Sequence, residues 1–300
     1  MSCGNRLRVI VLCSSDEIAA NWLKRGVHYP DLEITPVSST PQAWRVVRDA
    51  IAGDDGSVII CQEHVWFGGE FASAVAALTE NLDRDFPGWG ACGNRGCVWD
   101  GAVLYDYTSY TRNQGAGIGA ALRPRPVLTL DDNLVLLNRR ALRHCKLADL
   151  GGTESRIFGV PLSLECLRHG LALFVDPRLF TVRTLQHAAA DVAALAASAE
   201  FCSYYREHFI NHAVPWPDGR VNTEACVDYD YAALPADRAP QRDILELFEI
   251  ALARTRPRRP SLLLCCRTQF ERPELLWRAL ASLNFAKIEA RAYLDFEVRL

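Results

Sequence analysis

An α/β fold, with a mostly parallel central sheet flanked by helices on both faces, is predicted by three observations. Strand-like and helix-like segments alternate three times from the N-terminus. The strand-like segments are short continuous apolar runs rather than alternating ones, as expected of strands buried on both faces. The 300-residue chain is also long enough for a substantial core, with 49% apolar and 23% charged residues.

Residues 7–13 read as the first buried strand, and "SSDEIAANWLKRG" as a helix capped by Ser14 or Ser15, with acids in its first turn. "LEITPVSS" reads as the second strand. "TPQAWRVVRDAIAG" reads as a helix with Pro41 in its first turn and Gly53 ending it. "GSVIIC" is the third strand. It is followed by a helix, "EFASAVAALTENLDRD", whose apolar residues fall at 71, 74, 75, 78 and 82.

The middle is less regular. "FPGWGACGNRGCVWDG" reads as a Gly-rich irregular segment, and "YDYTSYTRNQGAGIGAALRPRP" as a polar, mobile loop before the strand-like "VLTL". A strand resumes in "LDDNLVLLNRRAL" after two aspartates. "VPLSLECLRHG" reads as a helix closed by Gly170 after a basic last turn, and "LALFVD" as a strand. One long helix is expected from 188 to 212, then loop from Pro215 to about 240. The helix "DILELFEIALART" and a basic linker, Arg254 to Arg259, complete this part.

The net charge of -3 gives no electrostatic basis for binding nucleic acid or an anionic membrane. The apolar run Val9 to Ser14 is too short for a signal-peptide core or a transmembrane segment, so a cytoplasmic protein is expected. The eleven cysteines are then expected to be reduced small hydrophobes. Cys92 and Cys97 do not have a zinc spacing.

In sheets of this kind ligands sit beyond the carboxyl ends of the strands. Ser14 to Asp16, Ser38 to Ser39 and Gln62 to His64 are therefore expected along one rim. If the strand stays extended, Gln62 and His64 share one face and Glu63 takes the other. On its own His64 reads as a strand-end residue bonded to backbone, Asp131–Asp132 as a turn pair, His187 as a surface histidine and Glu154 as a loop acid. "QGAGIGA" (114–120) reads as a flexible loop, because no strand precedes it and no helix follows.

Taken in order, five segments resemble a family 2-like GT-A glycosyltransferase of the bacterial surface-glycan kind. They are "IICQEHVWF" (59–67), "PGWGACGNRG" (87–96), "TLDDNLVLLNRR" (129–140), "IFGVPLSLECLRHGL" (157–171) and the stretch from His187 to Phe209. The resemblance implies a glycosyltransferase-like domain over 1–215 and a linker with a helix over 216–258. Residues 259–300 are similar to the opening of a second family 2 domain, implying the front of a tandem protein or a remnant packed on the first domain.

The resemblance further implies sugar transfer from a nucleotide-sugar donor to a glycan or lipid-linked acceptor, with Mn²⁺ or Mg²⁺ as cofactor. Ser14, Ser15, Asp16 and Gln62 are then expected to face the nucleotide. Glu63, His64 and His187 would hold the metal and diphosphate. Asp131, Asp132 and Glu154 fall on the acceptor side, with Asp132 the preferred base. Two positions depart from the family pattern: His64 stands where a metal-binding aspartate is usual, and Pro161 where the acidic base is usual. The rival readings are a GT-A-like pseudoenzyme acting as a binding module and, more weakly, a nucleotidyltransferase.

Overall fold

A computed structural model describes residues 7–53, 57–99, 104–108, 124–145, 157–179, 182–183, 189–216, 219–226 and 241–255. The chain divides into two units, Met1–Thr255 and Arg256–Leu300. Only the first contains described residues; the family-2-like segment 259–300 and the loop 114–120 lie outside them.

The predicted alternation is present at the N-terminus. Strands β1 (Leu7–Leu12), β2 (Leu32–Val37) and β3 (Val58–Gln62) alternate with helices α1 (Asp16–Arg25), α2 (Thr40–Ala52) and α3 (Phe71–Asp85). Ser15 caps α1, its hydroxyl accepting from the Ile18 amide at 3.3 Å, and Ser39 caps α2 in the same way. α3 turns Phe71, Val75, Leu78 and Leu82 inward, the spacing that builds one apolar helix face. A short strand, β4 (Val65–Trp66), precedes α3.

The Gly-rich segment holds two strands of different sheets rather than an irregular loop: β5 (Trp89–Gly93) and β6 (Arg95–Trp99). Its glycines are sites of close approach. A Cβ on Gly90 would meet that of Leu171 at 2.8 Å, and one on Gly96 would stand 2.6 Å from the Thr129 carbonyl oxygen. Part of the expected polar loop is also strand, β7 (Leu104–Thr108). Next come β8 (Arg125–Val127), β9 (Thr129–Leu130), β10 (Leu134–Leu137) and the short helix α4 (Arg139–Leu142). α5 (Gly159–Arg168) leads into β11 (Ala172–Val175) through Gly170, whose φ of 68° is the left-handed conformation that ends helices.

The main sheet has the order β2-β1-β3-β10-β5-β11-β8. β1, β2, β3, β5 and β11 run one way, whereas β10 and β8 run against them. The sheet is thus mostly parallel in direction, as predicted, with an antiparallel strand at its centre. β10 is buried along its whole length. β7, β6 and β9 form a smaller sheet, and β4 pairs with β12 (Val182–Arg183).

The long helix expected from 188 to 212 is two helices, α6 (Ala189–Ala197) and α7 (Ala199–His208). Ser198 leaves helical geometry between them and caps α7 by accepting from the Phe201 amide. After Pro215 the chain is not loop alone, because β13 (Ala213–Trp216) and β14 (Gly219–Asn222) make a hairpin. α8 (Ile244–Thr255) runs through Arg254, which therefore belongs to a helix and not to the linker.

The reduced-cysteine expectation fails at one pair, where a disulfide joins Cys202 to Cys226. Cys13, Cys61, Cys92, Cys97, Cys145 and Cys166 are outside any disulfide, and all but Cys145 are buried as small hydrophobes. Among the described residues no helix is long and apolar enough to cross a membrane.

Candidate functional site

β1 and β3 are parallel neighbours, so their carboxyl ends open on the same edge of the sheet. Beyond Gln62 the chain does not stay extended: Glu63 and His64 form a turn before β4. The expectation that Glu63 faces away from His64 is therefore corrected. The turn brings Glu63 Oε1 to 3.3 Å from His64 Nε2.

The turn is fastened at three points. The Glu63 amide donates to the Leu12 carbonyl at 3.1 Å, and the Trp22 indole N–H donates to the Glu63 carbonyl at 3.2 Å. The Ser14 amide donates to Glu63 Oε2 at 2.5 Å. A carboxylate only 4% exposed needs such donors, since burying the charge without them is costly. The His64 side chain stays 27% exposed, so the pair is reachable from solvent.

The other rim residues divide by role. The Ser15 hydroxyl serves the α1 N-terminus. Ser38 donates its hydroxyl hydrogen to Asp16, joining the ends of β1 and β2 through an exposed carboxylate. Gln62 is buried, and its backbone amide donates to the Asn133 backbone carbonyl at 3.1 Å. That bond sets the Asp131–Asn133 segment beside the end of β3.

Asp131 and Asp132 are both fully buried. Asp131 pairs with the buried Arg95 at 3.1 Å and accepts from the Asp132 amide at 2.7 Å. Asp132 Oδ1 accepts from the Phe158 amide at 2.6 Å and from the Gly159 amide, the first turn of α5. Negative charge is favourable there because the first amides of a helix lack internal partners. Both carboxylates are thus committed to the packing of α5 and β6. Pro161 lies in the same buried first turn. Glu154 and His187 lie outside the described residues.

A second polar cluster was not singled out from the sequence. Glu165 is fully buried yet accepts from Arg168 Nε (3.0 Å), Arg168 Nη2 (2.8 Å) and the Tyr204 hydroxyl (2.7 Å), and lies 3.0 Å from His169 Nε2. Burial alone would raise its pKa. The Arg168 and Tyr204 hydrogen bonds and nearby positive charge outweigh that and hold it below the ordinary 4.5. Cys145 is the third ligand-bearing group here. The sequence signal was the i, i+3, i+4 spacing of Glu165, Arg168 and His169 on one helix face.

No protein-family model matches the chain, and no curated protein does. Among solved structures the chain is similar to a crystal structure of GalNAc-T7 with UDP, GalNAc and Mn²⁺. The TM-score is 0.42 at 12% identity, over 92% of this chain and 58% of that one. It is also similar to A197 from STIV (TM-score 0.37, 10% identity, 77% of this chain, 99% of that one). S. aureus TarS 1-349 is a third likeness (TM-score 0.35, 11% identity, 67% of this chain, 71% of that one). These likenesses are distant, and nothing in the site rests on them. The chain's own geometry defines an α/β protein with a carboxylate–imidazole pair at the carboxyl edge of two parallel strands.

Proposed function

We propose that this chain is a family 2-like GT-A glycosyltransferase, moving a sugar from a nucleotide-diphosphate donor to a glycan or lipid-linked acceptor in bacterial surface polysaccharide synthesis. The observation that carries the reading is the Glu63–His64 pair, 3.3 Å apart at the carboxyl edge of β3, where open α/β sheets bind ligands. The ordered sequence resemblance supports it independently.

Ser14 and Asp16 would bind the nucleotide end of the donor, with Ser15 and Gln62 shaping the floor. Glu63 and His64, joined by His187, would hold Mn²⁺ or Mg²⁺. The fit favours Mn²⁺, because an oxygen–nitrogen donor pair at this spacing includes an imidazole, which suits Mn²⁺ better than Mg²⁺. When bound, the ion neutralises charge on the leaving diphosphate. The Ser14 amide holds the Glu63 carboxylate in place. With Asp131 and Asp132 committed to Arg95 and to α5, the base assignment moves from Asp132 to Glu154, which would take the acceptor hydroxyl proton.

Calorimetry with UDP, GDP and TDP, with and without Mn²⁺, tests the reading. Metal-dependent binding of one nucleotide, lost in Glu63→Gln and His64→Ala, is expected, together with turnover of a matching nucleotide-sugar. No binding of any nucleotide overturns it.

A second reading, a GT-A-like binding module, is favoured by Pro161 at the start of α5. It predicts nucleotide binding indifferent to metal, without turnover.

A further inference from the structure

The cluster on α5 has ligand chemistry that the sugar-transfer reading leaves unused. Glu165 and His169 stand one helical turn apart, and Cys145 reaches the same point from the end of α4. One thiol sulfur, one carboxylate oxygen and one imidazole nitrogen lie within 4.8 Å of one another. β11 begins at Ala172, just after His169, so the cluster sits at the amino edge of that strand. Glu63 is at the carboxyl edge of β3, which points the same way in the sheet.

We propose that Cys145, Glu165 and His169 form a zinc site, separate from the Glu63–His64 pair, with water as the fourth ligand. Thiolate, imidazole and carboxylate are the donors zinc takes in tetrahedral sites. Glu165 Oε1 and His169 Nε2 are 3.0 Å apart. Two ligands of a tetrahedral zinc ion are separated by roughly 3.3 Å, given bonds of ~2.0–2.1 Å. Little movement is needed between these two, and Cys145 closes the third side.

The surroundings suit a metal ligand shell. The Tyr204 hydroxyl donates to Glu165 Oε2, orienting the carboxylate as an outer partner of a metal ligand does. Arg168 Nη2 contacts Glu165 Oε1 and His169 Nε2, so an entering ion would have to displace the guanidinium from both. That displacement lowers the affinity below that of an all-cysteine site. Cys145 is half-buried and lines a surface groove of about 230 Å³ with Leu142 and Arg143, while the His169 side chain is itself 29% exposed.

Zinc binding forms one S–Zn bond and releases the Cys145 thiol proton to solvent. The zinc-free pair of Glu165 and Arg168 stays intact when the thiol is protonated.

Cobalt titration of the full-length, metal-stripped protein tests the site, because Co²⁺ replaces zinc and reports thiolate ligation by a near-ultraviolet charge-transfer band. One equivalent with that band is expected, displaced by Zn²⁺. Affinity should fall about 10-fold or more in Cys145→Ser and in His169→Ala. Glu63→Gln, at the other edge, should leave it unchanged. Thermal melts of the two ligand variants establish that they are folded. A missing thiolate band, or a band retained in Cys145→Ser, overturns the site and leaves an ion-pair network only. Because no nucleotide is present, the outcome is independent of the sugar-transfer reading.

Discussion

The backbone amide of Ser14 donates to the carboxylate of Glu63, tying the first residues after β1 to the turn after β3. The bond spans two parallel strands and holds a buried charge at the rim of the sheet. It makes Glu63 a fixed acceptor rather than a swinging one.

Removing that charge separates two effects. Glu63→Gln keeps an acceptor for the Ser14 amide but replaces the charged hydrogen bond with a neutral one. A stability loss of about 1 kcal/mol is expected in urea denaturation. Metal-dependent nucleotide binding should fall far more than this. Equal losses in both measurements would assign Glu63 to the scaffold alone.

Asp132 carries the N-terminus of α5 through the Phe158 and Gly159 amides. Asp132→Ala leaves two buried donors without this acceptor, at a cost of about 2–4 kcal/mol. Asp132→Asn keeps one acceptor oxygen and should cost about half as much, or roughly 1–2 kcal/mol. Denaturation midpoints of the two variants check the order. A stable Asp132→Asn protein that has lost all turnover would restore Asp132 as the base.

This residue also marks the boundary of what the sequence makes legible. β1 to α3 could be read because caps, Pro41 and the apolar spacing of α3 are local signals. The reversed direction of β10 could not, because a strand buried on both faces reads the same either way. β5 and β6 were obscured by glycines that look like loop but admit Leu171 and the Thr129 carbonyl. The partner of Asp132 lies 26 residues away, a distance no local pattern encodes. At the site itself, the rim position of Gln62 to His64 was legible from strand order. The turn that pairs Glu63 with His64 was not.

Glu165 predicts an acid limb in stability. Its folded pKa is held below 4.5, so the folded protein binds fewer protons there than the unfolded chain does. The contribution is complete above about 4.5 and is lost as pH falls through the lowered folded value. Glu165→Gln should cost roughly 1.5–3 kcal/mol near neutrality, through weakened bonds to Arg168 and Tyr204. The gap from wild type should narrow in acid. Urea midpoints across pH check this; a constant gap would show that Glu165 does not titrate as argued.

The glycines give the sharpest contrast. A Cβ at Gly96 would stand 2.6 Å from the Thr129 carbonyl and 3.0 Å from side-chain carbons of Val127 and Val175. A backbone carbonyl in a sheet ladder yields less readily than a side chain, so Gly96→Ala forces β6 and β9 apart. A loss of about 1–3 kcal/mol is expected. Gly68→Ala, where a Cβ meets nothing within 4 Å, should stay within about 0.5 kcal/mol of wild type. Both changes add the same methyl group, so intrinsic chemistry cancels and the difference reports the contact. If thermal melts show the two variants equal, β6 does not pack on β9 as described, and the Gly-rich stretch 86–101 returns to the irregular segment its composition suggests.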